Sequence, residues 1–298
     1  MKKILLIFII CLLPITGIHA NSNKKLRILI FPTSFAPGVH SNFESEVFDK
    51  FNISDTSFLE NPGFSGYLKN AFVNTNKFDV LERKNIQKVL EEIDFGATGY
   101  SNTEKSVKAG QMLNADYIVI PEIRYVAFNK NAKDVPFIPK DEEAIKATLG
   151  TNTRIVEVNT SKLVSSLIKD SQYSGLVSLK TDEEYSNSMK YLSEFFDSVA
   201  KKVTYSIVNE IYPIKIIDVT NNQVTLNRGK DAINIGENYK VYKTGKTLID
   251  PDTNEEIKQE INIGTIKVKE VLEKTSIAKI IEQKEKIETL NICRKNEK

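Results

Sequence analysis

Three short stretches carry residue types at spacings that could do chemistry. Gly245-Lys246-Thr247 has the ending of a phosphate-binding loop. That loop needs a glycine five residues before the Gly-Lys pair and must sit between a strand and a helix, so that free amides face the phosphate. Position 240 is Lys, and the flanks read as strands. Gly96-Ala97-Thr98-Gly99 resembles the tip of a nucleic-acid clamp, but its neighbours read as the end of one helix and the start of another. Asp250, Asp252 and Asn254 place oxygen ligands at alternate positions, as calcium loops do. Without a central Gly and a distal Glu, the stretch fits a β-turn with Pro251 at its second position better.

Other chemistry lacks raw material. The chain has two Cys and two His. Cys11 and His19 fall in the first twenty residues, which leaves His40 and Cys293 in the remainder. A Cys/His zinc site needs about four ligands at short spacing. Neither a Gly-x-Ser-x-Gly nor a His-Glu-x-x-His pattern occurs. No catalytic, cofactor-binding or metal residue is therefore assigned, and no enzyme is expected.

Residues 1–20 read as a secretory signal. Lys2 and Lys3 form the positive start, and Ile4 to Leu13 the apolar run. Pro14 and Gly17 break the helix, and cleavage is expected between Ala20 and Asn21. Cys11 follows Ile10 inside the apolar run and reads as part of it rather than as a lipid acceptor. The run is too short for the ~18–20 residues that span a bilayer. The 41 Lys+Arg stand against 39 Asp+Glu, so loss of Lys2 and Lys3 leaves a neutral chain. Nucleic-acid binders show a strong basic excess instead. The expected compartment is the periplasm, with outer-membrane association open.

Roughly 280 remaining residues suggest about two domains. Residues 21–213 alternate helices with short buried strands, which points to an α/β (α+β) layer of mixed sheet and helices. Residues 26–33 begin as a buried strand, and 34–58 read as polar and irregular. A helix follows Gly63, with Tyr67, Leu68, Ala71 and Phe72 on one side. Phe78 to Glu82 is a short strand. Ile86, Val89, Leu90 and Ile93 mark a helix face ending at Gly96. Ser101 to Glu104 is a capping box. It opens a helix whose Gly110 allows close approach to the sheet. Tyr117 to Ile120 is a central strand interrupted by Pro121.

Residues 127–152 read as a polar excursion. Arg154–Val158 and Lys162–Ile168 form a hairpin turning at Asn159-Thr160, and Gly175–Lys180 is a further strand. From Glu183 to about Ile211, Tyr185, Met189, Leu192, Phe196, Val199 and Val203 recur as a heptad-like seam. This predicts a long helix packed on its own sheet, or one whose seam partly faces a neighbouring subunit. Beyond Pro213, residues 214–283 carry five or six short strands, the size of a small all-β barrel. Residues 284–298 read as a charged, frayed tail.

Several ordered motifs resemble a known family. Phe78-Asp-Val-Leu-Glu-Arg83, Ile86 to Glu92, and Ala109-Gly110-x-x-Leu113-x-Ala115-Asp116-Tyr117-Ile-Val are similar to the curli-assembly CsgG family. Val156 to Thr160, followed by a long helix ending in Tyr212-Pro213, fits the same pattern. The same layer occurs in the amino-terminal domain of TolB and in lipoprotein activators of peptidoglycan synthases. Asn227-Arg228-Gly229, Gly236-x-x-Tyr239-x-Val-Tyr242, Leu248 to Thr253 and Ile263 to Val268 resemble the carboxy-terminal domain of flagellar assembly protein T.

The resemblance implies a non-enzymatic exported scaffold for envelope assembly or secretion. Its partners would be envelope proteins, with a homo-oligomer a further expectation. Two alternatives follow from the same resemblance: a channel component of the curli type, and an activator of peptidoglycan synthesis. A channel needs strands with an apolar lipid face. Leu163, Ser165, Leu167 and Lys169 alternate with Val164, Ser166, Ile168 and Asp170, so neither face stays apolar and no pore is expected.

Overall fold

The computed structural model describes residues 25–57, 63–81, 103–130, 142–178, 184–230, 232–252, 254 and 256–296. The expected signal with its Ala20–Asn21 cleavage, the helix over 83–94 and the Gly96–Gly99 stretch lie outside them.

The first unit is a mixed sheet with helices on its faces. Its strands are β1 (Leu26–Ile30), β2 (Ser34–Phe35), β3 (Phe78–Val80), β4 (Tyr117–Lys130), β5 (Glu142–Glu157) and β6 (Lys162–Ser178). The order is β3-β1-β4-β5-β6, with β2 also pairing β4. β1 lies parallel to β3 and β4, whereas β4-β5-β6 is an antiparallel meander. Pro121 sits where the parallel neighbour of β4 changes from β1 to β2, and the strand runs on through it. The expected interruption at Pro121 is thereby corrected.

One face of the sheet buries Ile28, Val119, Phe128, Leu149 and Ile155 under three helices. These are α1 (Val39–Phe51), α2 (Phe64–Thr75) and α4 (Glu184–Ile211). The other face packs Leu29, Ile118, Ile120 and Val156 against α3 (Thr103–Met112). A Cβ on Gly110 would stand 2.8 Å from both Ile118 Cδ1 and Val158 Cγ2. The expected close approach of this helix to the sheet is therefore real.

Three stretches differ from expectation. Residues 39–51 form α1 rather than irregular chain, because Phe43, Val47 and Phe51 recur every four residues and are all buried. The stretch 127–152 carries the end of β4 and most of β5, since helices cover one face and the polar alternation belongs to the other. The two expected strands after residue 162 are one, β6. Its Lys169 and Asp170 sit in mid-strand, the ammonium of Lys169 reaching Ser206 Oγ at 2.8 Å.

The second unit is antiparallel throughout. It holds β7 (Ile214–Thr220), β8 (Gln223–Leu226), β9 (Asn238–Ile249), β10 (Glu256–Val271), β11 (Ser276–Gln283) and β12 (Ile292–Lys295). The pairing order β10-β11-β8-β7-β12-β9 returns to its start. Inside lie Ile216, Leu226, Val241, Ile266 and Val268. β12 comes from the segment expected to be a frayed tail. It pairs with β7 and β9, and Ile287 and Cys293 are buried in this core.

Candidate functional site

Of the expected seam on α4, Tyr185 is exposed and the rest faces inward. Leu192, Phe196, Val199 and Val203 are buried, and Met189 packs against the same core. Tyr191, Phe195, Ala200 and Ile207 are buried beside them. That stripe is wider than a two-position coiled-coil seam and has the width of a core-facing helix. In this chain the five residues pack against their own sheet.

The exposed counterpart is β6. Among the described residues its only strand partner is β5, and along its 17 residues no described strand pairs with its other edge. Unpaired edges present backbone donors and acceptors that a partner strand can use. One acceptor is already taken: Lys202 Nζ donates to the Gln172 carbonyl at 2.9 Å. On the β6 face away from the helices, Ile168 is 66 % exposed, and Val164 and Leu176 are exposed too.

That face is a polar ladder as much as an apolar one. Ser166 Oγ is 3.1 Å from Asn152 Oδ1, and Asn152 Nδ2 donates to Glu122 Oε2 at 3.4 Å. The line crosses three strands. Beside it, Arg124 stands 3.9 Å from the Asp170 carboxylate. The Tyr125 ring lies over Gly150, where a Cβ would meet it at 2.2 Å. On the helix-covered side, Tyr173 donates to Glu194 Oε2 at 2.7 Å. Burial, and then the Glu194 carboxylate, push its phenol up to about 12. This hydroxyl is a structural tie between β6 and α4. Serines and charges on the outward face leave no continuous apolar band of the kind a lipid-facing strand needs.

The residues that could do chemistry are dispersed. Gly245, Lys246 and Thr247 lie within β9, Thr247 opposite Lys258 of β10, with no helix following. Asp250 Oδ1 accepts from Asp252 N at 2.8 Å, and its carbonyl accepts from Asn254 N at 2.9 Å, which closes the turn between these strands. His40 packs edge-on against Phe35 with ring centroids 4.7 Å apart, and its Nδ1 is 3.5 Å from Glu44. Cys293 lies in the other unit, where burial pushes its thiol up to about 12. Among the described residues no group of three or more His, Cys, Asp or Glu could hold a metal ion. Among them also, no helix is long and apolar enough to cross a membrane.

A second feature lies where the two units meet. Arg228, 3 % exposed, donates through Nη2 to the Tyr212 carbonyl just beyond α4. Its Nη1 reaches the Asn227 carbonyl at 3.0 Å and its Nε reaches Asn209 Oδ1 at 3.4 Å. A guanidinium there also complements the partial negative charge of a helix C-terminus. Asn227-Arg228-Gly229 stands out in the sequence as a motif, and its sequence context assigns it no role.

Residues 32–178 match the family model described as "Curli production assembly/transport component CsgG". No curated protein matches. The solved LpoB C-terminal domain from Salmonella enterica is 11 % identical, covering 52 % of this chain and 87 % of that one at a TM-score of 0.29. Lipoprotein GNA1162 from Neisseria meningitidis is 11 % identical over 62 % of this chain and 99 % of its own, at 0.32. TolB from Acinetobacter baumannii is 6 % identical over 86 % and 57 %, at 0.29. At such TM-scores the likeness assigns neither function nor partner. The family match ends at residue 178, so the likeness of residues 214–281 to flagellar assembly protein T rests on the motifs alone.

Proposed function

We propose that this protein is a non-catalytic accessory of cell-envelope assembly or secretion, acting by binding envelope proteins. The observation that carries the reading is the match of residues 32–178 to the CsgG family. The meander β4-β5-β6 falls within the matched region, and its β6 edge has no strand partner among the described residues. The leader expected over residues 1–20 supports an exported chain that acts in the periplasm or at the outer-membrane surface. Chemical crosslinking of the full-length protein in cells, followed by fractionation and mass spectrometry, tests this. The expected product is a defined adduct with an envelope protein in the periplasmic or outer-membrane fraction. A cytoplasmic fraction without adducts would overturn the reading. A detergent-resistant ring of this chain alone would replace it with the channel.

A further inference from the structure

We propose that the cleft between the two units is a binding site for a small oxyanion, a phosphate or carboxylate group, held by Lys77 and Lys274 across from Arg228. Four segments build its wall: the end of α2 with Lys77, the α4 turn at Tyr205 and Val208, the 227–229 loop, and the β10–β11 turn at Glu273 and Lys274. The cavity is about 180 Å³.

The charge balance favours an anion. Three cations line the cleft with one carboxylate, Glu273, and that one is engaged by Lys230 at 2.7 Å. Arg228 is accounted for by its carbonyl and amide acceptors. Those contacts do nothing for Lys77 Nζ and Lys274 Nζ, which have no carboxylate partner among the described residues. Burial, and then the charge of Arg228, lower the pKa of Lys77. A bound anion would relieve that repulsion and favour the charged ammonium. Around the cations sit Asn76 and Asn227, whose amides can donate to oxygen.

The wall is built rather than incidental. Ser276 Oγ donates to the Arg228 carbonyl at 2.7 Å, and Lys230 N donates to Leu272 O at 3.0 Å. Gly229 lets the 272–275 turn close on the loop, for a Cβ there would stand 2.2 Å from Glu273 O. Lys77 and Lys274 are thereby brought to one cleft from opposite units. This inference needs no protein partner and stands apart from the proposed function.

The test is calorimetric titration of the full chain with inorganic phosphate and with acetate at constant ionic strength. The wild type is compared with Lys77→Gln/Lys274→Gln and with the control Lys246→Gln/Lys258→Gln on the β9–β10 hairpin. Saturable binding, weakened at least tenfold by the first pair and unchanged by the second, is expected. Tighter phosphate binding points to a phosphate ester as the natural ligand, and equal or tighter acetate binding to a carboxylate. No saturable binding of either probe overturns the proposal, as does equal binding by wild type and the cleft variant.

Discussion

The carboxylate of Asp116 accepts the backbone amide of Arg27 at 2.6 Å, and the amide of Asp116 donates back to the Arg27 carbonyl at 2.9 Å. The Asp116 carbonyl also accepts from Val158 N at 3.0 Å. One residue thus ties the start of β1 to β4 and to the end of β5. This is the physical content of the Ala115-Asp116-Tyr117 motif.

Replacing Asp116 by Ala leaves the Arg27 amide without its acceptor, which costs about 1–2 kcal/mol where water has partial access. Asp116→Asn keeps an acceptor and is expected to lose less. Urea unfolding of both variants checks this ordering, and equal losses would contradict it.

Gly150→Ala forces the Tyr125 ring off its strand, an overpacking cost of about 1–3 kcal/mol. Tyr125→Ala empties that space. The double variant is expected to be more stable than the sum of the two single losses predicts. Strict additivity in denaturant unfolding would show that the ring does not rest on Gly150.

Glu237 carries a pH dependence. Burial alone would raise its pKa, but hydrogen bonds from Asn234, Lys295 and Tyr239 together lower it from 4.5 to about 2. A depressed folded-state value stabilises the fold above the unfolded value, and that contribution is lost as pH falls from about 4.5 towards 2. The stability gap between wild type and Glu237→Gln should therefore be full at pH 6 and narrower at pH 3. A gap that does not change with pH would contradict the assignment.

Cys293 should resist alkylation in the folded chain, because it is buried and its thiol is held protonated. Peptide mapping after iodoacetamide treatment, with and without denaturant, reads this directly. Labelling of the Cys293 peptide at native conditions at the denatured rate would contradict it.

Deleting residues 284–298 removes β12 and the burial of Ile287 and Cys293. The expected loss is at least about 3 kcal/mol, from two buried side chains and the opened ladders. A truncated chain with unchanged thermal unfolding would mean the segment is dispensable after all.

Much of the layer can be read in the chain because it obeys one period at a time. The seam of α4, the α2 face at Leu68, Ala71 and Phe72, and the Tyr117–Ile120 strand are all visible in the order of residues, whereas the flanking Tyr191, Phe195, Ala200 and Ile207 show themselves only in the packing. α1 is harder to read because polar residues and Pro37-Gly38 dilute its three buried anchors. β5 and β6 are harder because their outward face mixes polar residues such as Asn152, Ser166 and Asp170 with apolar ones such as Val156 and Ile168. β12 is harder still, since Ile287 and Cys293 are isolated among charges. The cleft was invisible for another reason: Lys77, Arg228 and Lys274 are far apart in sequence, and only the meeting of the two units joins them.

The most direct test of the central claim is site-specific photocrosslinking in cells from Ile168 on β6, compared with Phe48, exposed on α1 of the same unit. The account predicts a discrete adduct to an envelope protein from position 168 and none, or a far weaker one, from position 48. Equal yields from both positions, or no adduct from position 168, would contradict a partner-binding role for this sheet.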